Sequence, residues 1–91
     1  MLTEKQKYLM VFENCDFFVD LGIHIAYYRK KAGLTQQRLA DKLGVSRSYL
    51  SRVESPNQDA HISFERFFAI CRILDVPPKC FFEPLPRQDG K

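Results

Sequence analysis

The sequence lacks any hydrophobic run long enough to cross a membrane. None of its apolar stretches approaches the roughly 18 residues that a membrane helix requires. The apolar stretch near the N-terminus is interrupted by acidic residues and has no small-residue cleavage site, so we do not expect a signal peptide. These absences favour a cytoplasmic protein without a membrane partner.

Histidines and cysteines are too few and too scattered for a metal or catalytic centre. His24 and His61 have no cluster of possible ligands near them in the sequence. The three cysteines show no CxxC spacing, and in a reducing compartment we interpret them as small apolar residues: Cys15, Cys71 and Cys80. There is also no glycine-rich phosphate loop. We therefore expect no enzymatic activity, no metal, no cofactor and no small-molecule effector.

What the sequence does have is one basic segment in an otherwise mildly acidic chain. Its 91 residues, 45% of them hydrophobic, suffice for one small folded domain. Residues 29–52 contain seven basic residues and one acidic residue, a net charge of +6, whereas the remainder carries −3. Such a basic centre favours a polyanionic partner.

Helix start and stop signals recur along the chain, and no segment alternates apolar and polar residues as a half-buried strand would. Candidate N-caps are Thr3, Thr35, Ser46 and Ser63, and Gly33 and Gly44 suit helix ends. The signals predict helices over residues 3–13 and 17–32, two short helices around Gly44, one helix after Ser63 and a last one over Pro78–Phe82.

Helical spacing also predicts which side chains face the core. Around Gly44 the inward set is Leu39, Ala40, Leu43, Val45, Leu50 and Val53. In the helix over residues 17–32 the predicted buried stripe is Phe18, Leu21, Ile25 and Tyr28. In the helix after Ser63 it is Phe64, Phe67, Ile70 or Cys71, and Leu74.

The helix that follows Ser46 has an unusual outer face. At about 100° per residue, inward Leu50 and Val53 turn a set of short hydroxyls and an arginine outward: Ser48, Ser51, Arg52 and Ser55, with Arg47 beside them. An arginine fork matches guanine O6 and N7, and serine hydroxyls can bond to bases or phosphates. We therefore predict that this helix enters the major groove of duplex DNA.

The run Leu34–Ser46 and the run Tyr49–Glu54 resemble the phage-repressor-like (Cro/CI, XRE-type) helix-turn-helix family, and the similarity covers roughly residues 20–82. It implies an all-α fold, a compact five-helix lambda-repressor-like DNA-binding domain with an additional N-terminal helix. The predicted organisation is an N-terminal extension over residues 1–16, the domain over residues 17–83 with its motif at 35–55, and a flexible tail over residues 84–91.

The resemblance also implies roles for individual residues. The base-reading candidates are Arg47, Ser48 and Arg52. The phosphate or backbone candidates are Gln36, Gln37, Ser46, Ser51, Lys30 and Tyr49. Arg29 and Glu54 correspond to a structural ion pair. The loop after Glu54 departs from the family, because it lacks the usual glycine and carries Asp59 but no lysine or arginine, so no strong phosphate contact is expected there.

These inferences predict a sequence-specific regulator of transcription, with repression preferred, that binds double-stranded DNA. One short helix reads few base pairs, so we expect a homodimer whose reading helices lie about 34 Å apart on a two-fold operator. Candidate dimer surfaces are the C-terminal residues Phe81, Phe82 and Leu85, and the opening-helix residues Tyr8, Met10, Val11 and Phe12. The alternative is a helix-turn-helix protein-interaction module, such as an antitoxin-like partner.

Overall fold

The computed structural model describes residues 3–6, 17–55 and 60–86. Within the last two ranges the helices are α1 (Phe17–Lys31), α2 (Gln36–Leu43), α3 (Arg47–Glu54), α4 (Phe64–Leu74) and the 3-10 helix η1 (Pro78–Phe82). The described residues contain no strand, which confirms the predicted all-α fold. No helix in these ranges is both long enough and apolar enough to span a membrane.

Local capping explains where three of these helices, α2, α3 and α4, begin. The side-chain oxygens of Thr35, Ser46 and Ser63 each accept the backbone N–H three residues later, at 3.0, 3.0 and 3.2 Å. At the N-terminus, Thr3 Oγ1 accepts the Gln6 N–H at 3.1 Å and Gln6 Oε1 accepts the Thr3 N–H at 2.9 Å. The predicted caps are therefore confirmed, although the predicted helix over residues 3–13 lies outside the described residues beyond Gln6.

The turn between α2 and α3 depends on one glycine. Gly44 adopts a left-handed conformation with φ 79°, and its N–H donates to the Ala40 carbonyl oxygen at 2.8 Å. Only Gly44, Val45 and Ser46 separate the two helices. The sharp reversal holds α2 against α3 and fixes the direction in which α3 projects.

The core lies where α1, α2, α3, α4 and η1 meet. Its members are Ile25, Leu39, Ala40, Leu50, Val53, Ala60, Phe67, Ile70, Cys71, Leu74 and Phe81. Leu43 and Val45 are half-buried and pack against this cluster, so the inward set predicted around Gly44 is confirmed. Phe81 brings η1 into the core, with its ring centroid 5.3 Å from that of Phe67 and 5.2 Å from that of Tyr28.

Three predictions for aromatic residues are wrong. The predicted buried stripes include Phe18 and Phe64, but these are 41% and 76% exposed, because each lies at the start of its helix, beyond the edge of the core. Phe18 instead stacks on His61 with centroids 4.0 Å apart. Phe81, a candidate for the dimer surface, is fully buried and cannot contact another chain. The opening-helix candidates, residues 8–12, lie outside the described residues.

Of the two described cysteines, Cys71 behaves as the predicted apolar residue. Cys71 is buried in the core, and burial raises the pKa of its thiol, which disfavours the reactive thiolate. Cys80 is half-buried on η1 and is also a free thiol. Cys15 lies outside the described residues.

A buried histidine, which spacing does not single out, fastens the end of the domain to α1. His24 is only 3% exposed, and its two ring nitrogens lie 2.8 Å from the Asp20 carbonyl oxygen and 2.6 Å from the Glu83 carbonyl oxygen. The ring thus links α1 to the residue that follows η1.

Candidate nucleic-acid interface

Helix α3 is anchored by two apolar side chains and exposes a polar ridge. Leu50 and Val53 are 0% and 1% exposed. The opposite face carries exposed Ser48, Ser51 and Arg52, with exposed Arg47 beside it, and we call these four side chains the α3 ridge. The ridge therefore presents two guanidinium groups and two hydroxyls on a short helix whose inner side is fixed in the core.

A close backbone crossing sets the position of α3 against α1. Gly22 lies in the middle of α1, where a Cβ would overlap the Val53 carbonyl oxygen and would lie 3.3 Å from the Glu54 Cα. The two backbones therefore approach each other so closely that only glycine, which has no side chain, fits at this position. Any larger residue at this position must push the end of α3 outward.

The end of α3 is also held by a bidentate ion pair. Arg29 Nε donates to Glu54 Oε2 at 2.8 Å, and Arg29 Nη2 donates to Glu54 Oε1 at 2.9 Å. The two side chains are only 9% and 4% exposed. A third donor, Arg29 Nη1, bonds the Leu34 carbonyl oxygen at 2.8 Å. One arginine of α1 therefore fastens both the entry to α2 and the last turn of α3.

Gln36 joins this network from the first turn of α2. Its Nε2 donates to Glu54 Oε1 at 2.9 Å. A primary amide carries a second N–H and an acceptor oxygen, so Gln36 keeps hydrogen-bonding capacity while it braces α3. The structure thus brings Arg29, Gln36 and Glu54 together behind the α3 ridge.

The remaining phosphate candidates outside the ridge have exposed side chains. Ser46 uses its oxygen as the α3 cap, which leaves its hydroxyl hydrogen for another acceptor. Gln37 donates to Asp41 Oδ1 at 2.8 Å within α2. Lys30 is exposed on the last turn of α1, next to Arg29.

Tyr49 has a role that sequence reasoning missed. Its hydroxyl donates to the His61 carbonyl oxygen at 2.9 Å, and the guanidinium carbon of Arg66 lies 4.9 Å from its ring centroid. The hydroxyl hydrogen is therefore committed to the backbone before α4, and Tyr49 positions α3 against α4. The sequence does not single out Arg66, because it lies 17 positions away in the chain and only the fold shows the contact.

The family model described as helix-turn-helix matches residues 25–79, more than half of the chain. The chain belongs to the Cro/CI-like, XRE-type helix-turn-helix family. The matched residues include α2, the turn at Gly44 and α3, together with both members of the Arg29–Glu54 pair. The predicted family is thus confirmed.

Sequence relatives are transcriptional regulators. Over 56 residues this helix-turn-helix chain is 38% identical to the HTH-type transcriptional regulator SinR of Bacillus subtilis (strain 168), a match that covers 62% of this chain and 50% of SinR. SinR of Bacillus licheniformis matches to the same extent. The chain therefore spans about half the length of the curated relatives that it matches.

Solved structures of regulators share the fold. The clp gene regulator ClgR from Corynebacterium glutamicum superposes with a TM-score of 0.67 at 25% identity, covering 75% of this chain and 70% of ClgR. SinR in complex with DNA superposes with a TM-score of 0.61 at 33% identity, covering 69% of this chain and 98% of the SinR chain. The restriction-modification controller protein C.AhdI from Aeromonas hydrophila superposes with a TM-score of 0.60 at 29% identity, covering 68% of this chain and 91% of C.AhdI. These similarities confirm the predicted fold.

Proposed function

We propose that this helix-turn-helix protein regulates transcription by binding double-stranded DNA, with α3 in the major groove. The observation that carries the proposal is the α3 ridge, whose exposed arginines and serines lie on the side of α3 turned away from the core, while Leu50 is fully buried and Val53 almost fully buried. A protruding helix of this composition suits a groove lined by hydrogen-bond donors and acceptors. The DNA complex of the relative SinR gives independent support.

Roles within the interface follow from chemistry and position. Arg47, Ser48 and Arg52 are proposed to read base edges because they lie on the exposed side of α3. The proposed contacts to phosphates come from Gln36, Gln37, Ser46, Ser51 and Lys30. We assign Tyr49 a positioning role, since its hydroxyl hydrogen is already donated to the chain.

The proposed functional unit is a homodimer on a two-fold operator. A single eight-residue helix such as α3 contacts few base pairs, and two copies double the length of sequence that is read. A small domain lying in the groove acts most simply by excluding other proteins from the same site. Repression is therefore the proposed effect on transcription.

Two substitutions separate base reading from phosphate binding. Arg52→Ala should weaken binding to a selected operator by about 1–3 kcal/mol per site and relax base preference, whereas Lys30→Ala should weaken all duplexes alike. The measurement is a fluorescence-anisotropy titration with duplexes selected from a random pool and with unselected duplexes. If Arg52→Ala leaves both affinities unchanged, the assignment of the reading face is wrong.

The same titration at increasing salt tests DNA binding itself. Affinity should fall steeply as salt rises, because each phosphate contact releases condensed counterions. Absence of salt-sensitive binding at micromolar protein would instead favour the alternative, a protein-interaction module of the same fold.

A further inference from the structure

A cation from α4 lies on an aromatic ring of α3. The guanidinium carbon of Arg66 is 4.9 Å from the ring centroid of Tyr49, within the range of a cation–π contact. The ring itself is fixed, because the Tyr49 hydroxyl donates to the His61 carbonyl oxygen at 2.9 Å. Arg66 is exposed, and no carboxylate among the described residues forms an ion pair with it. The surface between α3 and α4 thus presents a positioned guanidinium with no counterion in this part of the chain.

The place of Arg66 within α4 does not favour a cation. Arg66 is the third residue of this helix, and its backbone N–H donates to the oxygen of the Ser63 cap at 3.2 Å. The first turn of a helix carries the positive end of the helix dipole, where acidic side chains are stabilising and basic ones are not. The stability of α4 therefore does not account for an arginine at this position, whereas an anionic ligand at the surface does.

Arg66 extends the basic surface of the α3 ridge toward α4. On α3, Tyr49 follows Ser48 directly and precedes Arg52 by three positions, and residues three apart are neighbours on a helix surface. The ring that holds Arg66 therefore flanks the ridge. Residues 53–65 contain neither lysine nor arginine, so Arg66 is the first basic residue after Arg52. The segment between α3 and α4 supplies no positive charge, and Arg66 is where positive charge returns.

A stacked guanidinium is well suited to bind a phosphate. The group is planar and carries five N–H donors that point outward in its plane, so stacking uses its face and leaves its edges free. Contact with the Tyr49 ring also restricts the arginine side chain before any ligand binds. Less conformational entropy is then lost when hydrogen bonds to a ligand form.

We propose that Arg66 is a phosphate contact of the DNA interface. With α3 in the major groove, its guanidinium, held against Tyr49, donates to a phosphate oxygen of the strand that passes on the α4 side of α3. The groove is about 12 Å wide and has a sugar-phosphate backbone on each side of a helix that lies in it. The phosphate contacts proposed above come from α1, α2 and α3, and Arg66 adds one from α4. This inference rests on the proposed function, because it adds a residue to the same DNA-binding surface.

The salt dependence of DNA affinity separates Arg66 from an ordinary surface arginine. Arg66→Ala should weaken binding to selected and unselected duplexes alike, by about three- to fivefold. It should also reduce the slope of log affinity against log salt by about 0.9, the value for one phosphate contact. Arg72→Ala is the matched control, because it removes an exposed arginine further along the same helix and should change neither quantity. The measurement is a fluorescence-anisotropy titration of the full chain at several salt concentrations.

Duplexes with a single neutral phosphate identify the contact itself. In each duplex, one phosphate of the selected operator is replaced by an uncharged methylphosphonate. At the phosphate that Arg66 binds, this replacement should weaken binding of the wild type and of Arg72→Ala by about three- to fivefold but leave Arg66→Ala unaffected, because a contact that is already absent cannot be lost again. If Arg66 only positioned α3 through Tyr49, its loss would alter base preference and show no coupling to any phosphate.

The outcomes distinguish this inference from the proposed function. An unchanged salt slope in Arg66→Ala, or the absence of coupling to any phosphate, overturns the role of Arg66 and leaves DNA binding by α3 intact. A wild type without salt-sensitive DNA binding overturns the proposed function and this contact together. Thermal melts check that each variant is folded. Arg66→Gln, which keeps a polar side chain without the charge, replaces Arg66→Ala if the alanine variant does not fold.

Discussion

Removal of either partner of the Arg29–Glu54 ion pair is expected to destabilise the domain by about 3–5 kcal/mol, because the other charge is left buried without a counterion. Loss of Arg29 also removes the bond to the Leu34 carbonyl oxygen, and loss of Glu54 removes the bond from Gln36, so either change loosens two helix junctions at once. Small domains have only about 5–15 kcal/mol of unfolding free energy. Arg29→Met and Glu54→Leu should therefore each give a marginally stable protein in urea unfolding.

The double variant Arg29→Met/Glu54→Leu is the matched control. With both charges absent and apolar side chains in their place, the double variant should lose much less unfolding free energy than the two single variants lose in sum. If each single variant lost less than about 1 kcal/mol of unfolding free energy, as expected for an exposed ion pair, the result would contradict this account of the network.

Gly22→Ala is expected to disturb both stability and DNA binding. Its new Cβ meets the backbone of Val53 and Glu54, which cannot turn away as a side chain can. Overpacking of this kind costs about 1–3 kcal/mol, whereas the better helix propensity of alanine returns at most about 1 kcal/mol. The end of α3 must move, so affinity for a selected operator should fall at least tenfold when the variant is still folded.

Gly33→Ala provides the comparison for that result. Gly33 has φ 78°, and a Cβ added there would have no neighbouring atom within 4 Å, so alanine at this position meets backbone strain but no clash. The strain costs about 1–2 kcal/mol, and operator affinity measured on folded protein should be unchanged. Equal affinity losses in Gly22→Ala and Gly33→Ala would show that destabilisation, and not displacement of α3, causes the effect.

Features set by neighbouring residues could be predicted from the sequence. The caps at Thr35, Ser46 and Ser63 each depend on a bond that spans three residues, and the left-handed turn at Gly44 depends on the glycine itself. The outward direction of the α3 ridge follows from the same local geometry, since Leu50 fixes the inner side of the helix.

Features set by distant contacts could not be predicted from the sequence. His24 bonds a carbonyl 59 positions away, and Tyr49 bonds one 12 positions away, so neither partner is visible in local spacing. Periodicity alone also cannot distinguish Phe64 from Phe67, because both suit the apolar stripe of α4 and only the extent of the core leaves Phe64 in water. The family resemblance predicts the Arg29–Glu54 pair, whereas its burial and its link to Gln36 come from the fold.

Dimethyl sulfate footprinting on a selected operator tests the central claim most directly. The reagent methylates guanine N7 in the major groove and adenine N3 in the minor groove, so one experiment reports both grooves. With the α3 ridge in the major groove, the wild type should protect guanine N7 positions that Arg52→Ala leaves open, and adenine N3 should stay reactive. Protection confined to adenine N3, or guanine protection that Arg52→Ala does not alter, would contradict the account.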